Sequence, residues 1–219
     1  LAQVEVLRGP NALLFGRGGT GGVLNRVTKK AQLDQDSTTS QLSVDSLGEL
    51  GGQIDHNRVI SDSVALRLNA MVERLDNHRD FYDGDRVGVN PTLHIESGDS
   101  VIDLSYEYVD HQRFIDRGIP TGSDGRPVEA FQKIVFGDPD VNTTALKAHL
   151  WRASVQHSFS DTLKGNIAAF YGDYDKLYQN FYAASYDQAQ TPDEVTLDGY
   201  VDTTQRQNTI LSANLIGES

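Results

Sequence analysis

Arg86-Val87-Gly88-Val89-Asn90-Pro91-Thr92-Leu93-His94-Ile95-Glu96 alternates without a break. Val87, Val89, Pro91, Leu93 and Ile95 fall on one side of an extended chain, and Arg86, Gly88, Asn90, Thr92, His94 and Glu96 on the other. Successive side chains of a strand point to opposite faces, so the stretch reads as a strand with one apolar and one polar face. After the polar turn Ser97-Gly98-Asp99-Ser100, Ile102, Leu104, Tyr106 and Tyr108 oppose Asp103, Ser105 and Glu107. Leu66–Arg74, Lys147–Phe159 and Gln207–Gly217 follow the same rule, the second setting Trp151, Ala153, Val155 and Phe159 against Arg152, Ser154, Gln156 and Ser158. Ser40–Leu47, Gly51–Ile60 and Thr162–Tyr174 alternate less cleanly. About eight strands are expected, with no amphipathic helix longer than two turns.

The connections come in two lengths. Ser61-Asp62-Ser63, Ser97–Ser100 and Ser160-Asp161 have the composition of tight hairpin turns. Asp76–Asp85, Gln112–Ala145 and Lys176–Gln205 read as long loops. Period-two alternation fits a membrane barrel and a soluble antiparallel sheet equally. Alternating short turns and long loops favours an up-and-down membrane barrel, and Tyr and Trp near strand ends suit interfacial girdles.

Composition narrows the function classes. The 219 residues carry 19 Lys+Arg against 31 Asp+Glu, a net charge of −12, which argues against a nucleic-acid partner. Cys is absent, so no disulfide, thiolate metal site or cysteine nucleophile exists in the chain. No run reaches the roughly 18–20 apolar residues of a membrane-crossing helix, a test to which barrel strands are blind. The six histidines, His56, His78, His94, His111, His149 and His157, form no metal-ligand spacing. Asp103 and Glu107 share a strand face and read as lumen polarity rather than as an acid–base pair. No catalytic residue, metal site or cofactor is expected.

Residues 1–30 have a different grammar, with five glycines between Gly16 and Gly22. Val4-Glu5-Val6-Leu7-Arg8-Gly9-Pro10, followed by Leu14-Phe15-Gly16-Arg17-Gly18-Gly19-Thr20-Gly21-Gly22-Val23-Leu24-Asn25-Arg26-Val27-Thr28-Lys29-Lys30, resembles the end of the plug domain of TonB-dependent siderophore receptors. The shared features are the V-E-V-L-R-G-P strand end, the aromatic-Gly turn, the Gly-Gly pair and the hydrophobic-Asn strand running into T-K-K. The segment Gly16–Gly21 also fits G-x-G-x-x-G, but no helix or βαβ unit follows, so a dinucleotide site is not expected.

The resemblance implies an all-β fragment: the C-terminal part of a plug over 1–30, a linker over 31–40, and the first third of an outer-membrane barrel over 41–219. Barrels of about 22 strands enclose such plugs, so about eight strands cannot close one alone. Both ends of the chain read as cut. The implied function is active transport of a ferric siderophore across the outer membrane of a Gram-negative bacterium. Its implied partners are the inner-membrane TonB complex and outer-membrane lipids. Alternatives are another cargo (cobalamin, an oligosaccharide, another metal chelate) or a soluble β-sheet binding module.

By the same resemblance, Phe15 and Arg17 stand at the plug surface that meets ligand, Phe15 occupying a place where many relatives carry Tyr. Arg8 and Arg26 are expected to pair with lumen carboxylates and hold plug to barrel. In the longest loop, Asp116-Arg117-Gly118 precede Ile119-Pro120 where some hydroxamate receptors carry aromatics. That makes Arg117 a candidate for an anionic ferric chelate. Tyr178, Phe181 and Tyr182, with Tyr174 and Tyr186 nearby, are candidate stacking residues or interface markers.

Overall fold

The computed structural model describes residues 1–9, 21–187, 189 and 193–217. Two antiparallel sheets account for its strands. The first pairs β1 (Gln3–Arg8) with β2 (Gly22–Val27). The second has eight strands in strict sequence order. These are β3 (Ser37–Val44), β4 (Leu50–Ser61), β5 (Val64–Asp76), β6 (Asp83–Ser97), β7 (Ser100–Phe114), β8 (Thr143–Ser160), β9 (Leu163–Asp187) and β10 (Glu194–Gly217). Among the described residues each pairs only with its chain neighbours, an up-and-down meander with β3 and β10 at its edges. Such open edges are template surfaces for further strands.

Along one edge of the sheet the turns are minimal: Asp62-Ser63-type, Gly98-Asp99 and Asp161-Thr162 connections. Along the other lie 45–49, 77–82, 115–142 and the connection from β9 to β10. Alternation of short and long is therefore real, but two boundaries moved. β3 begins at Ser37, inside the stretch read as a linker. The stretch Lys176–Gln205, read as a loop, is mostly the paired ends of β9 and β10, 25 and 24 residues long. Backbone pairing there continues after the apolar alternation has stopped, so periodicity alone could not see it.

The reason lies in the outward face. On it, Val64, Ile95, Ile102, Val155 and Ile167 stand side by side across five strands. Val155 is 43% and Ile167 63% exposed, as are many other large apolar groups on this face. An apolar surface this broad is foreign to a water-facing sheet and suits contact with hydrocarbon. A row of aromatics bounds it towards the long loops. Tyr106, Trp151 and Tyr171 are cross-strand neighbours with ring centroids 5.3 and 5.4 Å apart. Towards the short turns, Phe159 packs edge-on to His157 at 4.7 Å. Trp151 and Phe159 lie about 27 Å apart along β8 at roughly 3.4 Å per residue, which at a barrel strand's tilt of about 35–45° is roughly 19–22 Å of height, somewhat less than a membrane barrel's apolar band of about 25 Å. Two outward-facing rows beyond the aromatic one, Asp110, Lys147, Asp175 and Gln205 stand side by side, with Lys147 Nζ 3.5 Å from Asp110. The strands outrun the apolar band, and past it the outward face becomes charged.

Pro91 sits inside β6, where a ladder N–H is missing. Asn90 repairs the gap: its Nδ2 donates to the Tyr106 carbonyl at 2.7 Å, the acceptor opposite Pro91.

The inward face is polar and carries the segment that leaves β2. Asp55 on β4 accepts from Arg67 Nε and Nη2 at 2.7 and 2.8 Å and from Lys29 at 2.5 Å. Lys30 reaches Asp103 at 2.6 Å, which also pairs with His94. Asn57, 1% exposed, accepts from Gln32 N–H and donates to the Gln32 and Gln35 carbonyls. Before β3, Asp36 accepts the Val59 N–H at 2.7 Å and pairs with Arg58, and these contacts hold its carboxyl below the ordinary Asp range. Residues 29–36 are thus tied down on the polar face by side chains from β4, β5 and β7.

Candidate functional site

Two-residue periodicity carries the inward face up into the long hairpin of β9 and β10. Asn166, Ala168, Phe170 and Gly172 share that face, and so do Lys176, Tyr178, Asn180 and Tyr182 further along the same strand. Opposite them on β10 stand Asp198, Tyr200 and Asp202. The group lies beyond the aromatic row, on the long-loop side of the apolar band.

Arg117 joins it from the loop 115–142. Its guanidinium carbon lies 4.7 Å from the Tyr182 ring centroid, a cation–π geometry. Its Nη1 donates to Asn180 Oδ1 at 3.4 Å and to Tyr200 Oη at 3.3 Å. Tyr200 stacks on Tyr178, centroids 5.7 Å apart, and Lys176 Nζ sits 5.9 Å over Tyr178 while pairing with Asp202 at 3.6 Å. Tyr182 donates to Asp198 at 3.3 Å. Asn180 is 2% exposed, and its Nδ2 has no acceptor among the described residues.

Of the sequence candidates, Arg117, Tyr178 and Tyr182 come together here. Phe181 does not: it belongs to the outward face, where its ring covers Gly199, whose added Cβ would meet Phe181 Cδ1 at 2.5 Å. Tyr186 packs edge-on to Phe131 at 5.1 Å and so helps seat the long loop. Phe15 and Arg17 lie outside the described residues. Arg8 and Arg26 stand exposed on β1 and β2, and Lys29 and Lys30, just beyond β2, pair with Asp55 and Asp103 of the large sheet. Asn180, Tyr200 and Lys176 were invisible while their segment read as loop; strand parity, Lys176 to Tyr182 in steps of two, is the signal that finds them.

The loop 115–142 is held at both ends. Asn142, 2% exposed, donates to the Ile115 and Phe181 carbonyls at 2.9 Å and accepts the Phe181 N–H at 2.8 Å. Arg79, from the 77–82 loop, pairs with Asp116 and donates to the Gln132 and Ile134 carbonyls.

No family model matches the sequence. Among curated proteins, the chain is 36% identical over 123 residues to the probable TonB-dependent receptor BfrD of Bordetella pertussis, covering 55% of this chain and 16% of that protein. It is 36% identical over 121 residues to the catecholate siderophore receptor Fiu of Escherichia coli K12, covering 54% and 16%. With the metal-pseudopaline receptor CntO of Pseudomonas aeruginosa it shares 29% identity over 177 residues, 78% of this chain and 24% of the other. The chain therefore spans less than a quarter of the length of these relatives. The crystal structure of Escherichia coli Fiu superposes with a TM-score of 0.83 over 98% of this chain and 36% of its own, at 24% identity. The ferripyoverdine receptor of Pseudomonas aeruginosa gives 0.82 over 97% and 29%, at 18% identity. The fold is that of part of a transmembrane β-barrel from such a receptor.

Proposed function

We propose that this chain, a stretch of a TonB-dependent siderophore receptor, forms one wall of the barrel and the tail of the plug through which a ferric siderophore is taken across the outer membrane. The long-loop edge then faces the exterior and the short turns face the periplasm. Residues 1–30 act as the end of the plug, 31–36 as the connection, and the strands from β3 onward as barrel. Energy for release comes from the TonB complex acting on the plug of the complete receptor, and this chain contributes no covalent chemistry. The observation that carries the reading is Arg117 lying over Tyr182, beside Tyr178 and Tyr200, on the inward face above the membrane band. A cation backed by stacked phenols suits a large anionic chelate with flat arms. Relatives named for catecholate siderophores and for metal-pseudopaline mark the cargo classes to try first.

The test measures binding of radiolabelled iron chelates (a tris-catecholate, a trihydroxamate and an α-hydroxycarboxylate) to the complete receptor in outer-membrane vesicles. At least one binds, and Arg117→Ala weakens it at least tenfold, the loss of one charge-assisted hydrogen bond of about 1.5–3 kcal/mol. Uptake, unlike binding, stops in cells lacking TonB. Binding of none of the three overturns the reading.

A further inference from the structure

Arg117 is a loop residue, yet the backbone on either side of it is fastened, and the fastening leads to a side chain with no place in the binding cluster. Asp116 uses its two oxygens differently. Oδ1 accepts the Gly118 N–H at 2.8 Å, closing a turn around Arg117, and Gly118 takes up φ +86°, a left-handed conformation that glycine adopts without strain. Oδ2 accepts from Arg79 Nε. The pair is well shielded, with side chains 14% and 9% exposed. The remaining Arg79 nitrogens donate to the carbonyls of Gln132 and Ile134, 2.8 Å in the second case, on the far side of the same loop. One guanidinium thus joins the two limbs of the loop. Arg79 is itself set by its own loop, where its N–H donates to Asn77 Oδ1 at 2.7 Å. On the other flank, Asn142 holds Ile115.

We propose that Arg79 is a positioning residue for ligand capture: through Asp116 it fixes the turn that holds the Arg117 guanidinium over Tyr182, so that the cation is in place before ligand arrives. This rests on the reading of Arg117 as a ligand-binding group. Preorganisation of this kind raises affinity because the cost of ordering the loop is met on folding rather than on binding. A planar guanidinium that serves a carboxylate and two carbonyls at once cannot be replaced by an ammonium, which has one centre and different reach.

The experiment is a double-mutant cycle in the complete receptor, read as the dissociation constant of whichever labelled chelate binds the unaltered protein. Arg79→Ala is expected to weaken binding about tenfold with Arg117 present and less than twofold once Arg117 is Ala, because the two act in series. Arg79→Lys, which keeps the charge and protects against loss of folding, recovers only part of the affinity. Equal losses from Arg79→Ala in both backgrounds mean general loop support and overturn the proposal, as does no loss with Arg117 present. If Arg117→Ala alone changes nothing, the reading of Arg117 fails and the positioning role with it, an outcome distinct from failure of the cycle.

Discussion

Val155→Arg lowers the stability of the folded barrel by about 2–4 kcal/mol, whereas Gln156→Arg, one residue along, leaves it nearly unchanged. Val155 stands midway between Trp151 and Phe159 on the outward face, flanked by Ile102 and Ile167. An arginine there is placed near the middle of the hydrocarbon, where snorkelling reaches neither interface cheaply. Gln156 belongs to the inward face between Val101 and Asn166, where an added guanidinium stays in an aqueous lumen. Equilibrium unfolding of the two variants in lipid vesicles measures the difference. Equal costs for both would mean that the two faces do not meet different media.

Asp55→Ala costs about 3 kcal/mol and loosens residues 29–36 from the wall. The carboxylate is the shared acceptor of Arg67 and Lys29, with Asp55 and Arg67 side chains 15% and 11% exposed. Its removal strands a mostly buried guanidinium, which also props the Lys30 carbonyl at 3.1 Å. Replacing both partners, Asp55→Leu with Arg67→Met, costs less than the single change, since the charge then left without its partner is only that of Lys29, whose side chain is 35% exposed, and no longer the shielded guanidinium. Denaturant unfolding gives the energies, and limited proteolysis after Lys29 or Lys30 gives the loosening. A cost below about 1 kcal/mol for Asp55→Ala would mean that water screens the pair as it screens an exposed one.

The same two faces explain how much was readable in advance. Strands β5 to β8 announce themselves because hydrocarbon on one side and water on the other force an apolar residue at every second position. β3 and β4 alternate poorly, with Gly51, Gly52 and a polar Ser37–Ser43 run, and their pairing is set by neighbours rather than by side-chain contrast. Beyond Trp151 and Tyr171 both faces are wet. The contrast disappears, and the upper halves of β9 and β10 looked like loop. That one misreading hid Asn180 and Tyr200, though Arg117, Tyr178 and Tyr182 were already candidates by residue type. Arg79 could not be found from sequence at all, because its partners Asp116, Gln132 and Ile134 are 37 to 55 residues away along the chain. In the sequence Lys29 and Lys30 stand out only as part of the T-K-K ending, and their role depends on which strands they cross.

The most direct measurement places a nitroxide label at single cysteines introduced in turn at Ala153, Ser154, Val155 and Gln156, in a chain that has no cysteine of its own. Collision rates are then read with oxygen, which concentrates in lipid, and with a water-soluble nickel chelate. Labels at 153 and 155 should favour oxygen, and those at 154 and 156 the nickel chelate. Aqueous access at all four positions, with no alternation, would contradict a wall set between lipid and lumen.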